Sequence, residues 1–247
     1  MRNLRLLVQY AGTRYAGWQL QPSSPTIQGA LEKSLGTVVR HPVRLVGASR
    51  TDAGAHARGQ VASVRVEAEL SIERLQHSMN ALLPHDIRVV ELRDAPPRFH
   101  ALSDAHRREY RYVIVNASYL SPFRHGFAHL VRAPLDFGRL QEAAGRVVGE
   151  HDFTGFSSAD RGEVRTRRRV EVSEWLRQEE ALVYRVVADG FLRGMVRALV
   201  GTFVDVGRGL REAHQIDAIL AERDRRKAGP CVPACGLFLE RVEYAEA

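Results

Sequence analysis

One short segment of this chain places a lone carboxylate beside a cation between two glycines: Gly47-Ala48-Ser49-Arg50-Thr51-Asp52-Ala53-Gly54. Val43, Leu45 and Val46 precede it and Val61, Val64 and Val66 follow. That apolar pattern predicts two strands joined by a tight connection that presents Asp52 from the edge of a sheet. A carboxylate displayed in this way serves as a nucleophile or a general base. Asp next to Gly also forms turns and helix caps. What sets this segment apart is the density of specified letters, with Gly47, Arg50, Thr51, Asp52, Ala53 and Gly54 all in one string.

The string resembles the central motif of the TruA-type tRNA pseudouridine synthases, and further matches follow in that family's order. Tyr15-Ala16-Gly17-Trp18-Gln19 and Thr26-Ile27-Gln28-Gly29 are similar to its opening signature. Next come Asn80-Ala81-Leu82-Leu83-Pro84 with Asp86-Ile87, then Phe99-His100-Ala101 and Tyr110-Arg111-Tyr112. The second half adds Asp152-Phe153-Thr154-Gly155-Phe156, Arg165-Thr166, Met195-Val196-Arg197 with Val200-Gly201, and Gly236-Leu237-Phe238-Leu239.

The resemblance implies a cofactor-free and metal-free isomerisation of uridine to pseudouridine at positions 38, 39 and 40 of the tRNA anticodon stem-loop, carried out by a homodimer. Its catalytic carboxylate is Asp52. Three roles stay open for it: attack on C1′ of the ribose, removal of the C2′ proton, or attack on C6 of the base. Arg197 occupies the position at which the family sets a cation facing the aspartate, which keeps a carboxylate ionised. Arg50 either shares that ion pair or binds the RNA backbone and steers the flipped nucleotide. Tyr110 matches the active-site tyrosine, whose ring stacks on the extruded base and whose phenol takes part in proton transfer at C5. The alternation of a strand sends Tyr112 to the same face, where it is assigned to the core. Arg165 opens the run Arg165-Thr166-Arg167-Arg168-Arg169, which reads either as a phosphate-contacting arm or as a solvated strand edge.

Two segments depart from the family pattern. Cys235 stands where a basic residue is usual before the last Gly-Leu, and Arg193 and Gly194 replace histidines ahead of Arg197. Neither touches Asp52 or Tyr110, so the changes bear on how RNA docks there.

Composition is compatible with a polyanionic partner. The formal charge is +7 and the pI about 9.9, a balance that suits RNA without singling it out. Of 36 basic residues all but Lys33 and Lys227 are arginines. That bias reflects either RNA contact, where the planar fork suits phosphate and bases, or a GC-rich genome. Cys231 and Cys235 are too few for a closed zinc site and lack a metal or redox spacing, so reduced, idle thiols are expected. The opening Met1-Arg2-Asn3-Leu4-Arg5-Leu6 lacks a secretory apolar region and no apolar run reaches spanning length, so a cytoplasmic protein away from membranes is expected.

These residues need a scaffold, and the pattern of the chain predicts an α+β fold of two β-α-β-β-α-β units. In residues 1–96, a strand from Leu4 to Gln9 precedes a helix from Thr26 to Val39. Two strands flank Asp52, then a helix runs from Ser71 to Leu82 and a strand from Ile87 to Leu92. In residues 97–247, a strand from Tyr110 to Val115 precedes a helix from Asp136 to Val148. A hairpin follows (Val170 to Arg177 and Leu182 to Val187), then helices from Phe191 to Val206 and Glu212 to Leu220 and a strand from Leu237 to Val242. Ala95-Pro96-Pro97, which no helix interior accommodates, marks the join. The resemblance adds that the two ferredoxin-like units merge into a large antiparallel sheet crossed by a central cleft.

Two rival classes fit less of the sequence. An RNA-binding module on the same units reads bases with strand aromatics and has no need of Arg-Thr-Asp in a loop. A carboxylate-dependent hydrolase wants a second acid or a metal cluster, and the ten histidines show no H-E-x-x-H spacing.

Overall fold

The computed structural model describes residues 1–158 and 165–245. These form a mixed α/β chain whose sheets are mostly antiparallel, and it divides into two compact units. One comprises Met1–His106 with Phe238–Ala247, the other Arg107–Leu237.

In the first unit the order is β1 (Arg2–Tyr10), α1 (Ile27–Val39), β2 (Val46–Gly47), β3 (His56–Val66), α2 (Ile72–Leu82) and β4 (Ile87–Asp94). β1 lies between β3 and β4, antiparallel to both, with Leu6 opposite Ala62 on one side and Leu92 on the other. β2 adds to β3, with Val46 opposite Ser63. This β4-β1-β3-β2 order is that of a ferredoxin-like unit. Leu4, Leu6, Val8 and Tyr10 alternate inward along β1 and are buried, which is the two-residue period of a strand covered on one face. The cover is helical. Thr26 caps α1 by accepting from the Gly29 N–H at 3.2 Å, and Ser71 caps α2 by accepting from the Arg74 N–H. Ile27, Leu31 and Leu35 of α1 and Leu75 and Met79 of α2 are buried, and Ser34 ties the helices by donating to the Met79 carbonyl at 3.0 Å.

The second unit runs through β5 (Ala105–Val115), β6 (His129–Leu130), α3 (Phe137–Gly145), β7 (Gly149–Asp152), β8 (Arg167–Gln178), β9 (Ala181–Ala188), α4 (Met195–Gly207) and α5 (Gln215–Glu222). β9 pairs antiparallel with β5 and with β8, whose far edge takes β7. Trp175, Tyr184 and Phe203 fill the core, with Tyr184 at 5.3 Å from Trp175 and 5.2 Å from Phe203 between ring centroids. α4 is buried on nearly all sides, as a helix apolar all round must be. The last strand, β10 (Leu237–Tyr244), lies parallel to β3, with Phe238 opposite His56.

Several boundaries differ from those expected. The strand expected before Asp52 shrinks to Val46–Gly47. α2 ends at Leu82 as expected, but Leu82 leaves the apolar stripe and is exposed, and Leu83 turns inward instead. α4 starts at Met195 rather than Phe191, because Gly194 takes a left-handed φ of 71° that a helix interior does not accept. α3 ends at Gly145, ahead of the expected Val148. β6 and β7 lie outside the expected elements, since two and four residues carry too little periodicity to register.

Candidate active site

The string around Asp52 forms the loop from Ala48 to Ala55 between β2 and β3. Ala48 ends the strand pairing, its N–H donating to the Val61 carbonyl at 2.8 Å. Thr51 beyond it is buried, Asp52 half-buried and Arg50 exposed. The Ala55 N–H donates to the Asp52 carbonyl at 3.1 Å, which closes a tight turn. A small residue at 53 and a glycine at 54, with φ 80°, fit that geometry.

The opening signature is the loop's backing. The Trp18 N–H donates to the Thr51 carbonyl at 3.1 Å and the Gly54 N–H donates to the Tyr15 carbonyl at 3.2 Å. The segment from Tyr15 to Trp18 therefore holds Thr51 and Gly54, the residues on either side of Asp52-Ala53. Gly17 makes that approach possible. It has φ 96°, and a Cβ there would stand 2.7 Å from the Thr51 carbonyl oxygen and 3.1 Å from the Ala53 nitrogen. Gln28 secures the segment's far end: its Oε1 accepts from the Leu20 N–H at 3.0 Å and its Nε2 donates to the Leu45 carbonyl at 3.1 Å. At the start of β3 the buried His56 accepts from the Gly12 N–H through Nδ1 at 3.1 Å, and its ring stacks on Phe238 at 4.6 Å.

The motifs that contain Tyr15 and Asp86 give these two residues no role of their own. In the structure they form a pair: the Tyr15 hydroxyl donates to the Asp86 carboxylate at 2.7 Å, which also accepts from Arg14 Nε at 2.8 Å. Burial pushes the Tyr15 phenol up to about 12, and the bond to Asp86 adds to it. Asp86 is pushed upward by its own burial, but the bonds from Tyr15 and Arg14 together outweigh this and hold the carboxyl below its usual range.

The remaining site residues belong to the second unit. Tyr110 sits in β5 opposite Val186. It is buried, and Phe191 meets its ring edge-on at 5.0 Å. Tyr112 is buried opposite Tyr184, and its hydroxyl donates to the Pro233 carbonyl at 2.6 Å, in keeping with a core role. Arg197 lies half-buried in the first turn of α4, its Nε donating to the Val232 carbonyl at 2.7 Å while its own carbonyl accepts from the Val232 N–H at 3.3 Å. Burial raises both the Tyr112 phenol and the Cys235 thiol, and outweighs the opposing pull of the Arg197 charge. A thiol so placed stays protonated, in line with an idle cysteine.

Arg165 is exposed just ahead of β8, its carbonyl accepting from Arg168 Nη1 at 2.6 Å. Arg167 pairs with Glu150 at 3.0 Å, and Arg167 and Arg169 are exposed on β8. Among the described residues no group of three His, Cys, Asp or Glu side chains is placed to hold a metal, and no helix is long and apolar enough to cross a membrane.

The chain matches known proteins along nearly all of its length. A sequence profile of the family described as tRNA pseudouridine synthase matches residues 6–102 and 143–245. Arg50 and Asp52 fall in the first stretch, Arg165 and Arg197 in the second, and Tyr110 between the two. A protein of Pelobacter propionicus named tRNA pseudouridine synthase A is 41% identical over 244 residues, covering 99% of this chain and 100% of that one. Proteins of the same name from Moorella thermoacetica (41% over 243 residues, 98% and 99% covered) and an Exiguobacterium species (40% over 245 residues, 99% and 98% covered) are similarly close.

Proposed function

Because the chain belongs to the tRNA pseudouridine synthase family, we propose that it isomerises uridines 38, 39 and 40 of the tRNA anticodon stem-loop to pseudouridine, with Asp52 as the reacting carboxylate. The observation that carries this reading is the bracing of the Asp52 loop, held from behind by the Trp18 and Tyr15 backbone while Asp52 itself keeps partial exposure. Catalysis needs a reacting group held in place before substrate arrives.

The reaction breaks the N1–C1′ bond, turns the uracil and forms a C5–C1′ bond; C5 gives up a proton and N1 gains one. Nothing is oxidised or reduced, so acid-base and nucleophilic groups suffice. Asp52 opens the glycosidic bond, by attack at C1′, by taking the C2′ proton, or through the base at C6. Arg197 supplies the cation that pairs with that carboxylate, and Tyr110 stacks on the turned base and moves the C5 proton. Arg50 either joins the ion pair or guides the flipped nucleotide, and Arg165 contacts the RNA backbone. The working form in this reading is a cytoplasmic homodimer on tRNA, with no cofactor.

Tritium release from C5-labelled tRNA tests the assignment. Asp52→Asn is expected to abolish release while tRNA affinity stays within a few-fold of the parent's, because affinity comes from many phosphate contacts. Substantial turnover by that variant would remove Asp52 from its role.

A further inference from the structure

Gln60 lies on β3 directly beneath the Asp52 loop and is fully buried. Its amide grips the backbone of one loop residue from both sides: Nε2 donates to the Ser49 carbonyl at 2.7 Å, and Oε1 accepts from the Ser49 N–H at 3.2 Å. The same nitrogen reaches the Tyr10 hydroxyl at 3.4 Å, and that hydroxyl lies 2.8 Å from Thr51 Oγ1. Tyr10 and Thr51 are buried as well. An amide nitrogen only donates, so the Tyr10 oxygen accepts from Gln60 and is hydrogen-bonded in turn to the Thr51 hydroxyl. The chain of bonds runs from β3 to the residue next to Asp52.

The placement matters because strand pairing stops at Ala48. Past that point side chains add to the hold of the Trp18 and Tyr15 backbone: Gln60 secures Ser49 and Tyr10 secures Thr51, the two neighbours of Arg50. A buried amide is costly unless its hydrogen bonds are made, and an apolar residue would serve the interior of β3 as well or better for packing alone. We infer that Gln60, acting through Ser49, Tyr10 and Thr51, is a positioning residue for the Asp52 carboxylate, an inference that rests on Asp52 being the reacting group.

Steady-state and single-turnover kinetics on Gln60→Met, Tyr10→Phe and the double variant test this, with Asp52→Asn run alongside. Methionine keeps the length and removes every hydrogen bond. A misplacement of the order of 1 Å costs up to about a hundredfold in rate. Gln60→Met is therefore expected to lower kcat by about tenfold to a hundredfold with KM for tRNA unchanged. Because both side chains act on one loop, the double variant should lose less than the product of the two single losses. A kcat within about twofold of the parent's, a rise in KM at unchanged kcat, or losses that multiply in the double variant would each overturn the inference. If Gln60→Met fails to fold, Tyr10→Phe decides alone, a kcat loss at constant KM supporting the relay and a parental kcat overturning it. Turnover by Asp52→Asn would instead sink the reading on which the inference stands.

Discussion

The Tyr15 hydroxyl and the Asp86 carboxylate meet at 2.7 Å, and through that bond the start of β4 is tied to the back of the Asp52 loop. The tie works because Tyr15 uses both ends: its side chain holds Asp86 while its carbonyl accepts the Gly54 N–H. Arg14 also pairs with Asp86, but its side chain is 71% exposed, where an ion pair contributes little.

Tyr15→Phe is expected to destabilise the chain at neutral pH by about 1.5 to 3 kcal/mol, the value of a hydrogen bond to a charged group. The effect depends on pH at both ends. Asp86 titrates below its usual range in the folded chain, so its contribution is complete above about pH 4 and is lost as pH falls through the lower folded value. The Tyr15 phenol is raised to about 12, so its contribution is complete below about pH 10 and is lost as pH rises through about 12. Urea unfolding of parent and variant across pH checks this; a difference that stays constant from acid to alkali would contradict it.

Gly17→Ala places a methyl group against the Thr51 carbonyl and forces a left-handed φ on a residue with a side chain. The strain costs about 1 to 3 kcal/mol, and relief requires the Asp52 loop to move. Thermal unfolding should show the loss, and the single-turnover rate should fall by about tenfold or more. Parental values of both would mean that the two segments adjust freely.

Tyr110→Phe separates two roles. The ring and its edge-on contact with Phe191 survive the change. If the phenol moves the C5 proton, binding persists and the rate after glycosidic cleavage drops by about a hundredfold or more. If the ring only stacks, Phe works nearly as well and only Leu or Ala fails, by about 1 to 3 kcal/mol. The expected outcome is severe impairment of the Phe variant, measured by single-turnover product formation.

Binding of tRNA should weaken by about a thousandfold between about 50 and about 200 mM salt if about six phosphates are neutralised. Filter binding over that range measures it. A flat response would point to a small-molecule substrate and against the functional reading.

The class of fold was legible in the residues because its signals are local, and Asp52 stood out because its string resembles a family motif. Alternation along β1 and the spacing of Ile27, Leu31 and Leu35 along α1 are properties of neighbouring residues. The caps Thr26 and Ser71 are local in the same way, since a cap bonds only three residues ahead. The letters Tyr15, Gly17 and Asp86 were also legible, but their purpose was not. Gly17 is required by the carbonyl of Thr51, Tyr15 by Asp86, and Gln60 by Ser49 and Tyr10, partners that lie 11 to 71 residues away. No periodicity encodes which distant backbone group a side chain will meet. Only the tertiary structure, by packing β1, β3 and the 15–18 segment around one loop, decided which residues hold Asp52 in place.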